Sequence, residues 1–144
     1  MMYEHFKVYN DLVNRIRTKN MELIKLKEDW YNISGTSYDK ERIKGGVRMD
    51  IADQLHNIVE KEKELTGTIN YKDELRRIHE NEINIIQDNK KRTILKLFYL
   101  DGYSIKQIAH CLEKSESHTK KLKREAIREF KEKVIMGGLW KKSF

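Results

Sequence analysis

The sequence predicts an all-α protein in which a long, coiled-coil-like helical hairpin precedes a small helix-turn-helix domain. Charged residues make up 37% of the 144 residues and proline is absent, a composition that favours long solvated helices over sandwiches or barrels with many tight turns. Apolar residues also recur at intervals of three and four over two long segments, which is the period of an amphipathic helix. A chain of this length forms one ordinary domain or two small ones.

The first segment, residues 4–31, is predicted to form a helix with a coiled-coil seam. The seam residues are Tyr9, Leu12, Ile16, Lys19, Leu23, Leu26 and Trp30, with spacings of 3, 4, 3, 4, 3 and 4. This is the a/d pattern of a coiled coil, with Lys19 as its one polar member. The pattern stops at residues 32–46, where three glycines among serine and threonine predict a connection.

A second long helix is predicted to begin near Met49. Its apolar stripe comprises Ile51, Leu55, Ile58, Leu65, Ile69, Leu75, Ile78 and Ile85, with interruptions at Glu62, Lys72 and Glu82. Gly67 is a candidate for a kink or a break in this helix. The two stripes together indicate an antiparallel hairpin that a second copy of the chain completes. We therefore expect a homo-oligomer, with a dimer favoured.

Three shorter helices are predicted after the hairpin. Asp88 is a candidate N-cap for the first of them, Asp101-Gly102 ends it, and Ser104 and Ser115 cap the next two. The residues expected to face inward are Ile94, Leu97, Phe98, Ile105, Ile108, Ala109, Leu112, Thr119, Leu122, Ala126 and Phe130. Two short helices joined by a brief turn, the second of them basic on its exposed face, form the helix-turn-helix pattern, whose second helix enters the major groove of DNA.

The distribution of charge supports the same division of the chain. Residues 88–144 contain fifteen Lys/Arg and seven Asp/Glu, a net charge of +8, whereas residues 1–87 contain fifteen and sixteen, a net charge of −1. Such asymmetry indicates a polyanion-binding part joined to a part with another role. We predict a hairpin over residues 1–87, for oligomerisation or partner contact, and a double-stranded-DNA-binding domain over residues 88–144.

The residues predicted to contact DNA follow from their places on the last two helices. Side chains in the first turn and a half of the last helix reach base edges, where lysine donates to guanine and Glu116 can accept from cytosine N4. Arg124 and Arg128 lie further along, near phosphates, and capped helix starts offer backbone N–H groups to phosphates. The full predicted set is Ser104, Lys106, Gln107, Ser115, Glu116, Ser117, His118, Lys120, Lys121, Arg124 and Arg128.

Residues 92–127, RTILKLFYLDGYSIKQIAHCLEKSESHTKKLKREAI, resemble the carboxyl-terminal region 4 of bacterial sigma factors. The matching positions are Ile94, Leu95, Leu97, Tyr99, Leu100, Gly102, Ser104, Ile108, Ala109, Leu112, Ser115, Leu122 and Ala126. Sigma-like domains usually have glycine and then an aliphatic residue in the turn, where this chain has Glu113 and Lys114. That difference predicts a longer or looser turn. Behind a coiled-coil-like hairpin with a Gly-Gly break, the domain resembles small phage regulators of the RinA/ArpU type.

The resemblance implies a phage-type transcriptional regulator, an activator rather than a repressor, that binds near a promoter in the cytoplasm of a bacterial host cell. RNA polymerase is a further candidate partner, through the hairpin. The alternative is a phage small terminase subunit or another helical DNA-binding assembly protein, which also joins a DNA-binding module to helical oligomerisation elements. Promoter-proximal binding by dimers favours the first function, and ring-like oligomers without promoter preference favour the second.

Other functional classes find no support in the sequence. It has no glycine-rich phosphate loop, nucleophile elbow or paired catalytic carboxylates, so neither an enzyme nor a cofactor is expected. The single cysteine, Cys111, cannot form an internal disulfide, and with His110 and His118 it does not complete a metal site, so no metal is expected. No segment approaches the roughly 18 apolar residues that cross a bilayer, so no membrane contact is expected.

Overall fold

A computed structural model describes residues 2–36 and 46–138, and over these ranges the chain is helical without any strand. The helices are α1 (Met2–His5), α2 (Lys7–Thr36), α3 (Gly46–Ile83), α4 (Asn89–Leu95), α5 (Ile105–Leu112) and α6 (Glu116–Phe130). The π-helical segments Lys96–Leu100 and Lys131–Gly138 extend α4 and α6. The predicted all-α fold is confirmed. None of the described helices is long and apolar enough to span a membrane.

The chain folds into two compact units. The hairpin unit is Leu12–Lys72, and the terminal unit combines Met1–Asp11 with Asp73–Phe144. The first eleven residues therefore pack with the helices at the other end of the sequence, and α2 and α3 each contribute to both units. These structural units follow packing rather than role, so the functional division predicted between residues 87 and 88 stays a prediction.

The hairpin unit is built from antiparallel stretches of α2 and α3. Its buried core comprises Leu23, Ile58 and Leu65, around which Ile16, Leu26, Trp30 and Ile69 pack. Lys19 Nζ lies 3.9 Å from Glu64 Oε2, and Trp30 Nε1 donates a hydrogen bond of 3.2 Å to the Ile51 carbonyl. Lys19 of α2 therefore pairs with Glu64, whereas Trp30, later in α2, pairs with Ile51, which is earlier in α3. The two helices run in opposite directions, as the sequence predicts.

The predicted ends of the two long helices need correction. α2 continues through Gly35 to Thr36, although the connection was predicted to start at residue 32. One glycine weakens a helix by about 1 kcal/mol relative to alanine, which does not by itself end it. Residues 37–45 of the predicted connection lie outside the described residues. α3 begins at Gly46 rather than near Met49, and it runs through Gly67 without a break.

The apolar stripe predicted along α3 is wrong at three positions. Leu55, Ile78 and Ile85 are exposed, whereas His79, Ile83 and Ile86 are buried. The buried residues Ile58, Leu65 and His79 are seven or fourteen residues apart, so the buried face keeps a heptad register that passes through the polar positions Lys72 and His79. The predicted stripe was based on apolar residues only, so it lay partly on the neighbouring face of the helix.

The terminal unit has an aromatic core to which α1 and the start of α2 contribute. Phe6 is fully buried, stacks on Tyr99 at a centroid distance of 4.9 Å and lies 5.6 Å from Phe130. Tyr9, the first residue of the predicted seam, is buried in this unit and not in the hairpin unit. Most of the predicted inward face is also buried, namely Ile94, Ile108, Ala109, Thr119, Ala126 and Phe130.

Arg76 connects three parts of the terminal unit. Its Nη1 atom donates to Tyr9 Oη at 3.0 Å and to Asp101 Oδ1 at 2.9 Å, and its Nε atom donates to Glu80 at 2.6 Å. Burial lowers the pKa of Arg76, but the hydrogen bonds to Asp101, Tyr9 and Glu80 outweigh burial and raise it. The guanidinium therefore stays charged, and it holds the turn after α4 against α3.

Candidate nucleic-acid interface

The start of α5 is fixed by a reciprocal capping box. Ser104 Oγ accepts a hydrogen bond of 3.2 Å from the Gln107 backbone N–H, and Gln107 Oε1 accepts one of 2.9 Å from the Ser104 backbone N–H. Ile108 and Ala109 are buried on one side of the helix, and Lys106 and Gln107 are exposed on the other. Because the side-chain oxygen Oε1 of Gln107 is engaged in the cap, the side-chain nitrogen Nε2 is the group that can still donate to an acceptor on a ligand.

The turn between α5 and α6 is short and tightly bonded. The Glu113 N–H donates to the His110 carbonyl at 3.2 Å and the Lys114 N–H to the Ala109 carbonyl at 3.0 Å, which is the Schellman pattern of a helix end. Glu113 has the left-handed backbone, φ 55° and ψ 44°, that glycine usually adopts at this place. The prediction of a longer or looser turn is therefore wrong, because these hydrogen bonds hold Glu113 in the conformation of a glycine.

Ser115 and Thr119 fix the start of α6. Ser115 Oγ accepts from the His118 backbone N–H at 3.1 Å, and Thr119 Oγ1 donates to the Ser115 carbonyl at 2.8 Å. Thr119 is fully buried, so this hydrogen bond satisfies its hydroxyl within the core. The predicted N-caps Asp88, Ser104 and Ser115 all make the expected hydrogen bonds.

The outward face of α6 carries the side chains predicted for DNA contact. At 100° per residue, Ser117, Lys121, Arg124 and Arg128 lie within about 60° of one another around the helix axis. The buried side chains of α6 point the opposite way. Six residues of α6 that were predicted to contact DNA follow Glu116 and are exposed: Ser117, His118, Lys120, Lys121, Arg124 and Arg128.

Two acidic side chains of α6, Glu125 and Glu129, are paired with lysines. Lys91 Nζ lies 3.8 Å from Glu125 Oε2 and 3.6 Å from Glu129 Oε2, and Lys133 Nζ lies 2.9 Å from Glu129 Oε1. The hydrogen bond from Lys133, reinforced by Lys91, lowers the pKa of Glu129. Glu116, in the first turn, remains as the exposed acid of α6. Past that turn, the exposed charged residues of α6 are all basic, and the two remaining carboxylates are paired with lysines. We call this exposed surface the basic face, defined by Ser117, His118, Lys120, Lys121, Arg124 and Arg128.

One lysine of α6 has a different role. Lys123 Nζ lies 3.6 Å from the centroid of the Phe98 ring, in a cation–π contact. Burial lowers the pKa of this lysine. Lys123 therefore packs α6 against the segment that follows α4.

Lys90 and Lys114 extend the positive surface beyond the predicted set. Lys90 lies at the start of α4 and Lys114 in the turn before α6, and the nearby Lys90 ammonium lowers the pKa of the half-buried Lys114. Two like charges held this close attract an anion that lies between them. The sequence does not indicate this pair, because the two residues are far apart along the chain and neither lies on the exposed face of α5 or α6.

Comparisons with known proteins place the chain beside one family. A family model described as "Protein of unknown function (DUF1492)" matches residues 32–131, from the last turns of α2 to the residue after α6. No curated protein and no solved structure matches the chain. The matched region contains α3 and the whole basic face, whereas the hairpin residues of α2 before residue 32 lie outside it.

Proposed function

Because the chain belongs to the DUF1492 family, whose description assigns no activity, we propose a function from the geometry of its own residues: it is a sequence-specific double-stranded-DNA-binding transcriptional regulator. In this proposal α6 is the recognition helix and α5 supports it. The observation that carries the proposal is the basic face, together with the pairing of Glu125 and Glu129 with Lys91, which offsets their negative charge.

Dimensions and capping support contact with a duplex. The basic face extends over eleven residue steps, or about 16 Å along the helix axis, and a major groove about 12 Å wide admits one α-helix. Ser117, His118 and Lys121 are placed early in α6, where recognition helices contact base edges. Lys90 and Lys114 are suited to a phosphate beside the groove, because lysine neutralises phosphate without reading sequence.

The resemblance to sigma region 4 and to phage regulators of the RinA/ArpU type defines the biological role that we propose. The chain would act near a promoter as an activator in a bacterial host, and the hairpin unit would contact a second copy of the chain or RNA polymerase. Leu23 and its seam partners are already used within the chain. Exposed apolar side chains on both hairpin helices are available for a partner, among them Met21, Ile24, Leu55 and Val59.

The proposal is tested by selecting duplexes from a random library with the full chain and measuring affinity for the selected sequence. His118→Ala or Lys121→Ala should weaken binding to that sequence by about 1–3 kcal/mol, with less effect on random DNA, if the side chain contacts a base. Arg128→Ala should weaken both alike and lower the slope of log K against log salt by about one, as the loss of a phosphate contact does.

Lys25→Ala is the control matched to Lys121→Ala and Arg128→Ala, because Lys25 is an exposed lysine on α2 of the hairpin unit and its loss removes the same single positive charge. It should leave affinity and salt slope nearly unchanged, and circular dichroism should show that all variants keep their helix content. If Lys106→Ala on α5 abolishes specific binding while His118→Ala and Lys121→Ala do not, α6 is not the reading helix. Enrichment of no sequence, together with ring-like oligomers in sedimentation and electron microscopy, would favour the DNA-packaging alternative.

A further inference from the structure

A second group of polar side chains lies within the terminal unit, away from the basic face. His5 Nε2 is 3.0 Å from Glu82 Oε1 and 3.1 Å from Glu82 Oε2, and His79 Nδ1 is 2.7 Å from Glu82 Oε1. The His79 side chain is 6% exposed and the Glu82 side chain 13%. One nitrogen or oxygen atom from each of the three residues lies within 4.8 Å of the others. Three metal-binding groups therefore converge on one point.

Aromatic rings surround this group. The Phe6 centroid lies 5.0 Å from that of His5 and 4.7 Å from that of His79, and the Phe130 centroid lies 5.4 Å from that of His5. Polar groups buried among apolar rings are costly unless they are paired or bind a metal ion. The three side chains therefore need one another or a shared ligand.

Glu82 supplies the oxygen donor of this group, and its carboxylate lies within hydrogen-bond distance of both imidazoles. A carboxylate and two imidazoles form an N₂O donor set. Imidazole donors suit zinc, copper, nickel and iron, whereas calcium and magnesium prefer oxygen donors alone.

We propose that His5, His79 and Glu82 bind one zinc-like divalent transition-metal ion. Tetrahedral zinc, with bonds of about 2.0–2.1 Å, separates its ligand atoms by about 3.3 Å. The His–Glu separations of 2.7 to 3.1 Å are slightly shorter than that value, and the three ligand atoms all lie within 4.8 Å of one another, so side-chain movements admit the ion. Three protein ligands leave the fourth position to water, and each imidazole would present an unprotonated ring nitrogen to the ion.

Such an ion would tie α1 to the end of α3. His5 and Glu82 are 77 residues apart in the sequence, yet both lie in the terminal unit. A metal ion that binds the folded chain and not the unfolded chain would stabilise this arrangement. His79 and Glu82 are three residues apart on α3, and this H-x-x-E spacing is the sequence signal that could have drawn attention to them. The third ligand is distant in the chain and has no such signal.

The site is tested on the full chain after treatment with a chelator. Calorimetric titration with Zn²⁺ should show one bound equivalent, and titration with Co²⁺ should give the intense visible absorption of a four-coordinate ion. At a free Zn²⁺ concentration of about 100 times Kd, the melting temperature should rise by about 5–10 °C. His5→Gln should weaken binding by more than about 100-fold, since even the loss of an outer-shell partner costs 10-fold to 100-fold.

The matched control removes the other candidate ligands. The chain has five histidines and one cysteine, and His56, His110, His118 and Cys111 are all exposed. A variant with these histidines changed to Gln and Cys111 to Ser should keep one equivalent of four-coordinate Co²⁺, which only His5 and His79 can then ligate through nitrogen. This variant supports the proposal even if His5→Gln fails to fold. Loss of metal binding in the control variant, or no binding by the unaltered chain, would overturn it.

Discussion

At the scale of single residues, the turn before α6 depends on one residue with a strained backbone. Glu113 is the one residue other than glycine with a positive φ among the described residues. A left-handed backbone costs an L-amino acid roughly 1–2 kcal/mol, and here the two Schellman hydrogen bonds maintain it. Local pattern identified the turn and its capping serine, but it could not show that glutamate adopts the backbone of glycine.

Glu113→Gly should therefore raise the free energy of unfolding, by about 0.5–1 kcal/mol, because relief of the left-handed strain exceeds the added entropy of glycine in the unfolded chain. Urea denaturation followed by circular dichroism measures the change. Glu113→Ala is the control, because it removes the same carboxylate and keeps the strain, so it should give no comparable gain. Equal stabilisation by both variants would mean that the carboxylate, not the backbone, is unfavourable.

At the scale of elements, the sequence predicts most where the determinants are local. The caps at Asp88, Ser104 and Ser115 and the inward face of α6 depend on residues within one or two turns, and the structure has them as predicted. The face of α3 was harder, because its buried register passes through His79, whose burial depends on His5 and Phe6 from a distant part of the chain. Tertiary contacts of this kind leave no periodic trace in the helix itself.

Two glycines should respond in opposite ways to the same substitution. Gly67 lies within α3 and a Cβ there meets no atom within 4 Å, so Gly67→Ala should stabilise the chain by about 0.5–1 kcal/mol. Gly102 has a φ of +73° in the turn after α4, so Gly102→Ala should destabilise it by about 1 kcal/mol or more.

Thermal melts of both variants measure these effects, and each serves as the other's control because the added atoms are the same. If Gly67→Ala lowers the melting temperature, α3 is bent or paired at that point in a way that the described helix does not have.

At the scale of the whole molecule, the terminal unit depends on residues from both ends of the sequence. Phe6 contacts Tyr99 and Phe130, and Arg76 joins Tyr9 to Asp101. The sequence indicated neither contribution from the first eleven residues, because a short amphipathic stretch does not specify which distant helices it packs against. The DNA-binding role, the oligomer and the host compartment stay predictions.

Phe6→Ala should lower the free energy of unfolding of the terminal unit by about 3–5 kcal/mol, the usual effect of truncating a fully buried phenylalanine. Val8→Ala is the control, because Val8 lies two residues later and is 55% exposed, so its truncation should change stability by less than about 0.5 kcal/mol. Urea denaturation of both variants gives the comparison. An effect of Phe6→Ala no larger than that of Val8→Ala would show that the amino-terminal segment does not belong to this core.

The discontinuous make-up of the terminal unit also determines the order in which the chain can fold during synthesis. The hairpin unit is contiguous, so its two helices can pair once residue 72 has left the ribosome. Phe6 can contact Phe130 only after residue 130 has been synthesised. At a synthesis rate of about 5–20 residues per second, this delay is several seconds to tens of seconds. During this interval the amino-terminal aromatic residues lack their final partners, so the aromatic core of the terminal unit forms after the hairpin unit.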